Sequence, residues 1–287
     1  MTLSQLQRSL LETLKSGGIG QDEAAATARI ILEDAAGYSP VDIAVHDTRE
    51  LEDFTCDRLL EMARRVATLD EPVQYVTGHA RFCGLDLHVT PAVLIPRPET
   101  EGIVDRIVDR YRDRRDLRVL DLCTGSGCIA LALARALPFC HVTAIDISAP
   151  ALDVAGDNAT RLGITSVDFV QADALRPLPP PVEPGAFDIV VSNPPYVADS
   201  ERNDMSNRVL LYEPAIALFV PDSDPMRFYR AIAGAAALAL RADGTLWCEI
   251  NSLYAAETCA TMKEAGFTDV AIDRDFYGRP RYAIASR

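Results

Sequence analysis

A chain of 287 residues with 48% apolar and 24% charged side chains is long enough to bury a sizeable core. Its net charge of −14 and isoelectric point near 4.7 argue against wholesale binding of nucleic-acid phosphates, an affinity that comes from Lys and Arg. Seven cysteines without a C-x-x-C pair fit thiols in a reducing compartment better than a disulfide framework or a zinc site, so no metal is expected. The first residues carry no apolar signal core, and no run approaches the roughly 18–20 apolar residues of a membrane span, so a cytoplasmic protein without a membrane partner is expected.

Leu3, Leu6, Leu10 and Leu14 recur at helical spacing and the pattern stops at Gly17-Gly18, which predicts a first helix. Asp22 is placed to cap a second, from Glu23 to about Ala36, ending at Gly37 with Pro40 beyond. A third is expected from about Asp57 to Thr68, with Leu59, Leu60, Ala63 and Val66 inward. Residues 1–72 therefore read as a small helical domain. It holds no cluster of His, Cys or carboxylates, so an accessory role in gripping a substrate is the most it suggests. The four histidines, His46, His79, His88 and His141, are dispersed and read as surface or structural groups.

Between residues 73 and 98 the alternating, glycine-punctuated segments Gln74 to Gly78 and Phe82 to Val89 read as a hairpin linker. Leu94-Ile95-Pro96-Arg97-Pro98-Glu99-Thr100-Glu101 follows, two prolines enforcing extension before a helix that starts at Glu99 or Thr100. This is either a rigid strap or a segment whose Arg97 and Glu99 line a cleft.

From residue 99 to 287 strands and helices alternate. Leu117 to Leu122 is a strand, Cys123-Thr124-Gly125-Ser126-Gly127 a glycine loop, and Ile129 to Ala134 a helix. His141 to Asp146 is the next strand, then a helix over Ala151–Leu162, a strand Val167–Gln171 ending at Ala172-Asp173-Ala174, a Pro-rich loop 177–184 and a strand 187–191. A helix near Met226–Leu240, a strand Gly244–Ile250, a helix 253–265 and strands near 268–273 and 281–285 complete a doubly wound, Rossmann-like α/β domain. Ligands of such sheets sit outside the carboxyl ends of the strands, where Gly125, Asp146, Asp173 and Asn193 all fall.

The loop lets backbone approach a ligand closely, and an acid about twenty residues further on, Asp146, is where a ribose diol is bound in nucleotide-binding sheets. Gly125-x-Gly127-x-x-Ala130 also fits the dinucleotide fingerprint loosely, so a hydride-transferring dehydrogenase is a rival. Two acids tilt the balance. Asp121 enters the loop, where it suits an ammonium and repels a pyrophosphate, and Asp173 is placed for an adenine amine. Both favour S-adenosylmethionine, which carries no phosphate. The strand 187–191 then runs into Ser192-Asn193-Pro194-Pro195-Tyr196, a stiff turn with one carboxamide, carbonyls free of competing amides and a ring. Such a set suits a planar NH2 group.

The chain resembles the release-factor glutamine methyltransferases, also called HemK-like or PrmC protein-(glutamine) methyltransferases, over nearly its whole length. The likeness rests on Gln74-Tyr75-Val76-x-Gly78, Phe82-x-Gly84-Leu85, the segment Leu94 to Glu101, Asp121 to Gly127, Asp146-Ile147-Ser148, Asn193 to Tyr196 with Glu213-Pro214 after it, Glu249-Ile250, and Asp275 through Arg281. It implies a methyltransferase domain preceded by a helical domain and a hairpin, with methyl transfer from S-adenosylmethionine, released as S-adenosyl-L-homocysteine, to the Gly-Gly-Gln glutamine of class-1 peptide release factors. Carried over by position, the cofactor loop falls on Cys123 to Gly127 with Asp121 before it, the ribose acid on Asp146, the adenine side on Asp173 and Ala174, and the substrate and catalytic turn on Asn193, Pro194, Pro195 and Tyr196. Asn193 also reaches the cofactor in that scheme. Cys123 and Asn251 stand where the family commonly has glycine. Two alternatives share the chemistry: a glutamine methyltransferase of a large-subunit ribosomal protein, and an adenine-amine DNA methyltransferase, which the acidity disfavours. No direct nucleic-acid partner is expected, and a monomer is.

Overall fold

Thr2 begins the first helix of the computed structural model with a capping box, its hydroxyl accepting from Gln5 N at 3.3 Å while the Gln5 side chain accepts from Thr2 N at 2.8 Å. The structure describes residues 1–45 and 50–287; His46 lies outside them. Helix α1 (Leu3–Ser16) ends before Gly17, and its four leucines are fully buried against Cys56, Leu59, Ala63 and Val66 of α4 (Asp53–Leu69), which starts earlier than its apolar period suggested. Between them α2 (Gln21–Ile30) is capped by Gly20, not by Asp22, which lies in its first turn with Glu23 and there complements the helix dipole. A π-helical turn (Ile31–Ala35) carries it on to Gly37. Ser39 caps an unanticipated short α3 (Pro40–Ala44). Gln74 to Gly78, read from the sequence as part of a hairpin, is instead α5 (Val73–Thr77) and its cap; Gly78 at φ +80° ends it. The alternation there reflects one buried helical face.

The hairpin is confined to β1 (His79–Phe82) and β2 (Leu85–His88). Cys83 and Gly84 join them at φ +46° and +73°, the left-handed pair a two-residue turn requires. The second layer of structure follows in order: α6 (Pro98–Tyr111), β3 (Arg118–Leu122), α7 (Cys128–Ala136), β4 (His141–Asp146), α8 (Ala149–Leu162), β5 (Val167–Gln171), β6 (Phe187–Ser192), β7 (Val197–Ala198), α9 (Asn207–Tyr212), β8 (Phe219–Val220), α10 (Arg227–Ala239), β9 (Leu240–Glu249), α11 (Ala255–Glu264), β10 (Asp269–Arg274) and β11 (Pro280–Ser286). Pro98 occupies the first turn of α6, where its missing amide costs nothing.

Contacts divide the chain into Met1–His79 with Ser206–Tyr212, and Ala80–Met205 with Glu213–Arg287. Helix α9 belongs with the helical unit because Arg208 bonds Glu23 Oε1 at 2.7 Å and Asp70 Oδ1 at 2.8 Å, and the Tyr212 hydroxyl donates to the Leu69 carbonyl at 2.6 Å.

The larger unit is a seven-stranded sheet in the order β5-β4-β3-β6-β9-β11-β10, parallel from β5 to β9 and antiparallel at β11 and β10. Its central strands are apolar on both faces because both faces are covered. Val119, Ile189 and Val191 pack with α6 and α7, while Leu120, Leu122 and Val190 pack with α10 and α11. From β3 the chain runs outward to β4 and β5, then returns to place β6 on the other side. That reversal opens a crevice at the carboxyl ends of β3 and β6. Among the described residues no helix is long and apolar enough to cross a membrane; the Ala- and Leu-rich run Ala231–Leu240 is mostly α10.

Candidate active site

A cavity of about 360 Å³ lies over that crevice, entirely within the larger unit. Its size is that of a small-molecule site. The glycine loop forms one wall. Cys123, Gly125 and Gly127 all have positive φ, at +64°, +56° and +79°. Glycine takes this conformation freely, while Cys123 is held there against its Cβ. At Gly127 a Cβ would come within 3.1 Å of Ala155 and 3.2 Å of Leu131, so this glycine lets α7 and α8 close together. Two anchors hold the loop to β4: Thr124 N donates to the Ile145 carbonyl at 3.0 Å, and Gly125 N to Asp146 Oδ2 at 2.9 Å. The other Asp146 oxygen accepts from Ser148 N at 2.9 Å, and each carboxylate oxygen keeps a further lone pair for a hydroxyl. Burial raises the Asp146 pKa, against three backbone amides that lower it.

Asn158 on α8 is a residue that sequence reasoning missed. Fully buried, it donates to the Ser126 carbonyl at 3.1 Å and the His88 carbonyl at 2.9 Å, and accepts from His88 N at 2.6 Å. One carboxamide thus ties the loop to β2. Nothing in the local pattern of α8 marks it.

Of the residues expected from sequence, Cys123, Thr124, Gly125, Ser126, Asp146, Asp173, Ala174, Asn193 and Pro195 line the cavity. Asp121, Gly127, Pro194 and Tyr196 do not. Asp121 lies beneath the loop, 0% exposed, with Oδ2 accepting the Thr124 hydroxyl at 2.6 Å and Oδ1 buried without a partner. Burial pushes its pKa up to about 7, the Asp146 charge adding to the effect and the Thr124 hydrogen bond opposing it. Asp173 Oδ1 accepts from Leu175 N at 2.9 Å. Arg97 and Thr100 also line the cavity, together with Pro214, Ile216 and Phe219. The first two stand in the proline-rich segment; no signal pointed to Ile216 or Phe219. Glu213 joins these two walls, its buried carboxylate binding the Arg97 guanidinium and Ile95 N.

At the end of β6, Asn193 Nδ2 donates to Thr100 Oγ1 at 3.1 Å. Thr100 Oγ1 donates to Glu249 Oε2 at 2.7 Å, and the Tyr196 hydroxyl donates to Glu249 Oε1 at 3.0 Å. Asn193 Oδ1 and the Pro194 carbonyl accept no hydrogen bond among the described residues. Burial raises both the Glu249 carboxyl and the Tyr196 phenol, while the Arg281 charge opposes both shifts. Asn251, in a position where glycine was expected, braces the turn: its Nδ2 bridges the Tyr196 carbonyl at 3.2 Å and Glu201 Oε2 at 2.9 Å.

Cys123 is beside Ser192 and on the cavity wall, but burial drives its thiol far above the usual range, with Asp146 and Asp121 adding to the effect. It supplies no thiolate near neutral pH.

A family model described as Methyltransferase domain matches residues 119–210, and one described as PrmC N-terminal domain matches residues 5–78. The chain is 44% identical over 218 residues to a release factor glutamine methyltransferase of Bacteroides thetaiotaomicron, covering 76% of this chain and 77% of that one. With the release factor glutamine methyltransferase of Nitratidesulfovibrio vulgaris it shares 34% identity over 289 residues, covering 100% and 95%. Among solved structures, a ribosomal protein L11 methylase from Lactobacillus delbrueckii subsp. bulgaricus aligns with a TM-score of 0.50 at 20% identity, covering 69% of this chain and 83% of that one. That likeness concerns the fold alone.

Proposed function

Because this chain belongs to the release factor glutamine methyltransferase family, we propose that it methylates the side-chain amide nitrogen of the Gly-Gly-Gln glutamine in class-1 peptide release factors. It is an enzyme, a methyltransferase whose cofactor is S-adenosylmethionine. The observation that carries the substrate reading is the state of Asn193: its NH2 is committed to Thr100, while its oxygen and the Pro194 carbonyl are unpartnered among the described residues. Two acceptors on a rigid turn suit the two protons of a primary amide.

The residues present fit the cofactor. A buried carboxylate oxygen without a partner, Asp121 Oδ1, lies under the loop where a cationic amine needs a counter-charge. Asp146 retains acceptor capacity for a ribose diol, and Asp173 with Ala174 would flank the adenine. No lysine or arginine lies in the loop Cys123 to Gly127 to receive a pyrophosphate. When bound, S-adenosylmethionine supplies an electrophilic methyl on sulfur and leaves as the neutral thioether.

The protein's part is orientation and charge. A carboxamide nitrogen is a weak nucleophile because its lone pair is delocalised. Asn193 Oδ1 and the Pro194 carbonyl hold its two protons, fixing the nitrogen and stabilising the positive charge that develops there. No thiolate stands ready as a base, since burial keeps the Cys123 thiol protonated. The proton is therefore lost to solvent after methyl transfer. We assign residues 1–72 to docking of the release factor, the monomer as the working unit, and the cytoplasm as its place of work.

The test is to incubate the protein with methyl-labelled cofactor and, separately, a release factor, large-subunit ribosomal protein and DNA, locating the label by mass spectrometry. Label on the Gly-Gly-Gln glutamine is expected. Its absence there refutes the substrate reading.

A further inference from the structure

Glu249 takes no direct part in the methyl transfer, yet it is a carboxylate buried to 1% exposure a short hydrogen-bonded path from the amide-binding turn. Its partners explain it. Both oxygens take hydroxyl protons, Oε2 from Thr100 at 2.7 Å and Oε1 from Tyr196 at 3.0 Å. A threonine hydroxyl has one proton. Once Thr100 gives its proton to the carboxylate, its oxygen faces Asn193 with lone pairs only, and of the two ends of the Asn193 amide only the NH2 satisfies it. The opposite rotation of that amide would set two oxygens against each other at 3.1 Å. The acceptor oxygen of Glu249 therefore decides, two hydrogen bonds away, that Asn193 presents oxygen to the substrate.

We propose that Glu249, acting through Thr100, is a positioning residue that fixes the polarity of Asn193 and so makes the site select a carboxamide over a carboxylate. The inference rests on the reading of Asn193 and Pro194 as the amide-holding pair. Glutamine offers two N–H donors to two acceptors. Glutamate, of nearly the same shape, offers none and brings its own negative charge to the same two oxygens. Were Asn193 reversed, its NH2 would bind glutamate well and repel the glutamine NH2. One buried carboxylate thus separates side chains that differ by NH2 against O. The sequence separations, 149 residues between Thr100 and Glu249 and 93 between Thr100 and Asn193, explain why no local motif shows the chain.

Three variants test this with an intact release factor and with the same protein carrying Glu in place of the Gly-Gly-Gln glutamine as competitor. Thr100→Val keeps shape and removes the relay. Its kcat should fall on the order of 10²-fold, the scale for losing one preorganised dipole at a reacting group. S-adenosyl-L-homocysteine affinity, measured by calorimetry, should be unchanged. Inhibition by the Glu competitor should tighten relative to wild type by about tenfold, the equivalent of one hydrogen bond gained. Thr100→Ser, which keeps the hydroxyl, should restore most of the turnover and the original discrimination. Glu249→Gln carries the same test should the valine variant fail to fold: its NH2 can take the Thr100 oxygen and send the Thr100 proton toward Asn193. Unchanged discrimination between the Gln and Glu proteins in Thr100→Val or Glu249→Gln overturns the polarity role, as does loss of S-adenosyl-L-homocysteine binding in step with turnover, which marks a structural role only. Failure of the wild-type enzyme to methylate the glutamine overturns the substrate reading itself and this inference with it.

Discussion

Strand β6 has a polar residue near its start and another just past its end, and the two are treated differently. Near its start Asp188, 1% exposed, is saturated: Arg114 and Arg241 each place a guanidinium nitrogen 2.9 Å from Oδ1, and Arg118 N donates to Oδ2 at 2.8 Å. Just past its other end Asn193 donates one hydrogen bond and accepts none among the described residues, while the neighbouring Asp121 keeps one buried oxygen unpaired. Burial alone therefore does not mark a functional group in this fold. Incomplete satisfaction does, because an unpaired polar atom held in place costs stability unless a ligand completes it.

The contrast is open to test at both ends. Asn193→Ala should have the largest effect, lowering kcat by roughly 10³-fold in single-turnover assays while S-adenosyl-L-homocysteine still binds; full turnover in that variant would refute the functional reading of the open end. At the saturated end, Asp188→Ala should lower stability by about 3 kcal/mol in urea titrations, since two arginines and an amide lose their acceptor. The folded fraction should keep its kcat. A drop in kcat without a drop in stability would erase the distinction between the ends.

Asp121 tests the same idea through pH. Burial lifts its pKa from 3.8 to about 7, so between those values the folded protein holds a proton that the unfolded chain has released. Stability of the ligand-free protein should accordingly fall as pH rises through that window. A cationic ligand favours the ionised carboxyl, so affinity for S-adenosyl-L-homocysteine should rise with pH up to about 7, by at most about tenfold per unit, and then level off. Calorimetry from about pH 5.5 to about pH 8, a span that brackets the raised value, checks it. In Asp121→Asn the affinity should be lower and its slope in this range lost; an unchanged slope would refute Asp121 as the counter-charge beneath the loop.

The smallest effect is expected in the loop. Cys123 holds φ +64° with a side chain, so Cys123→Gly should relieve strain and raise stability by about 1 kcal/mol, less the extra entropy of glycine when unfolded. Urea denaturation measures it directly.

Much of this was legible in advance because it is local. The strand-loop-helix at Leu117 to Ala134 and the acid ending the next strand declare themselves through apolar runs, glycines and a terminal carboxylate. Proline chemistry likewise announced the turn at Asn193. Other details escaped for physical reasons. Gly20 caps α2 because the chain enters there in extended form, although Asp22 is the better capping residue by type. Alternation in Gln74 to Gly78 arises equally from one face of a short helix. Helix α9 joins the helical unit through Arg208 and Tyr212, whose partners are 138 to 185 residues away in sequence.

The sequence by itself determined the alternating α/β order, the glycine loop at the cofactor site and the stiff turn at Asn193, since each follows from a few neighbouring residues and their backbone preferences. Only the tertiary structure decided which polar atoms are left without partners. Asp121 and Asp188 are the same residue type in similar apolar strands, and what separates them is whether two arginines or only uncharged donors face the carboxylate. Thr100, Asn193 and Glu249 are likewise ordinary until β6, β9 and the start of α6 meet. Hydrogen-bond saturation is a property of groups distant in the chain, so three-dimensional packing alone could assign it.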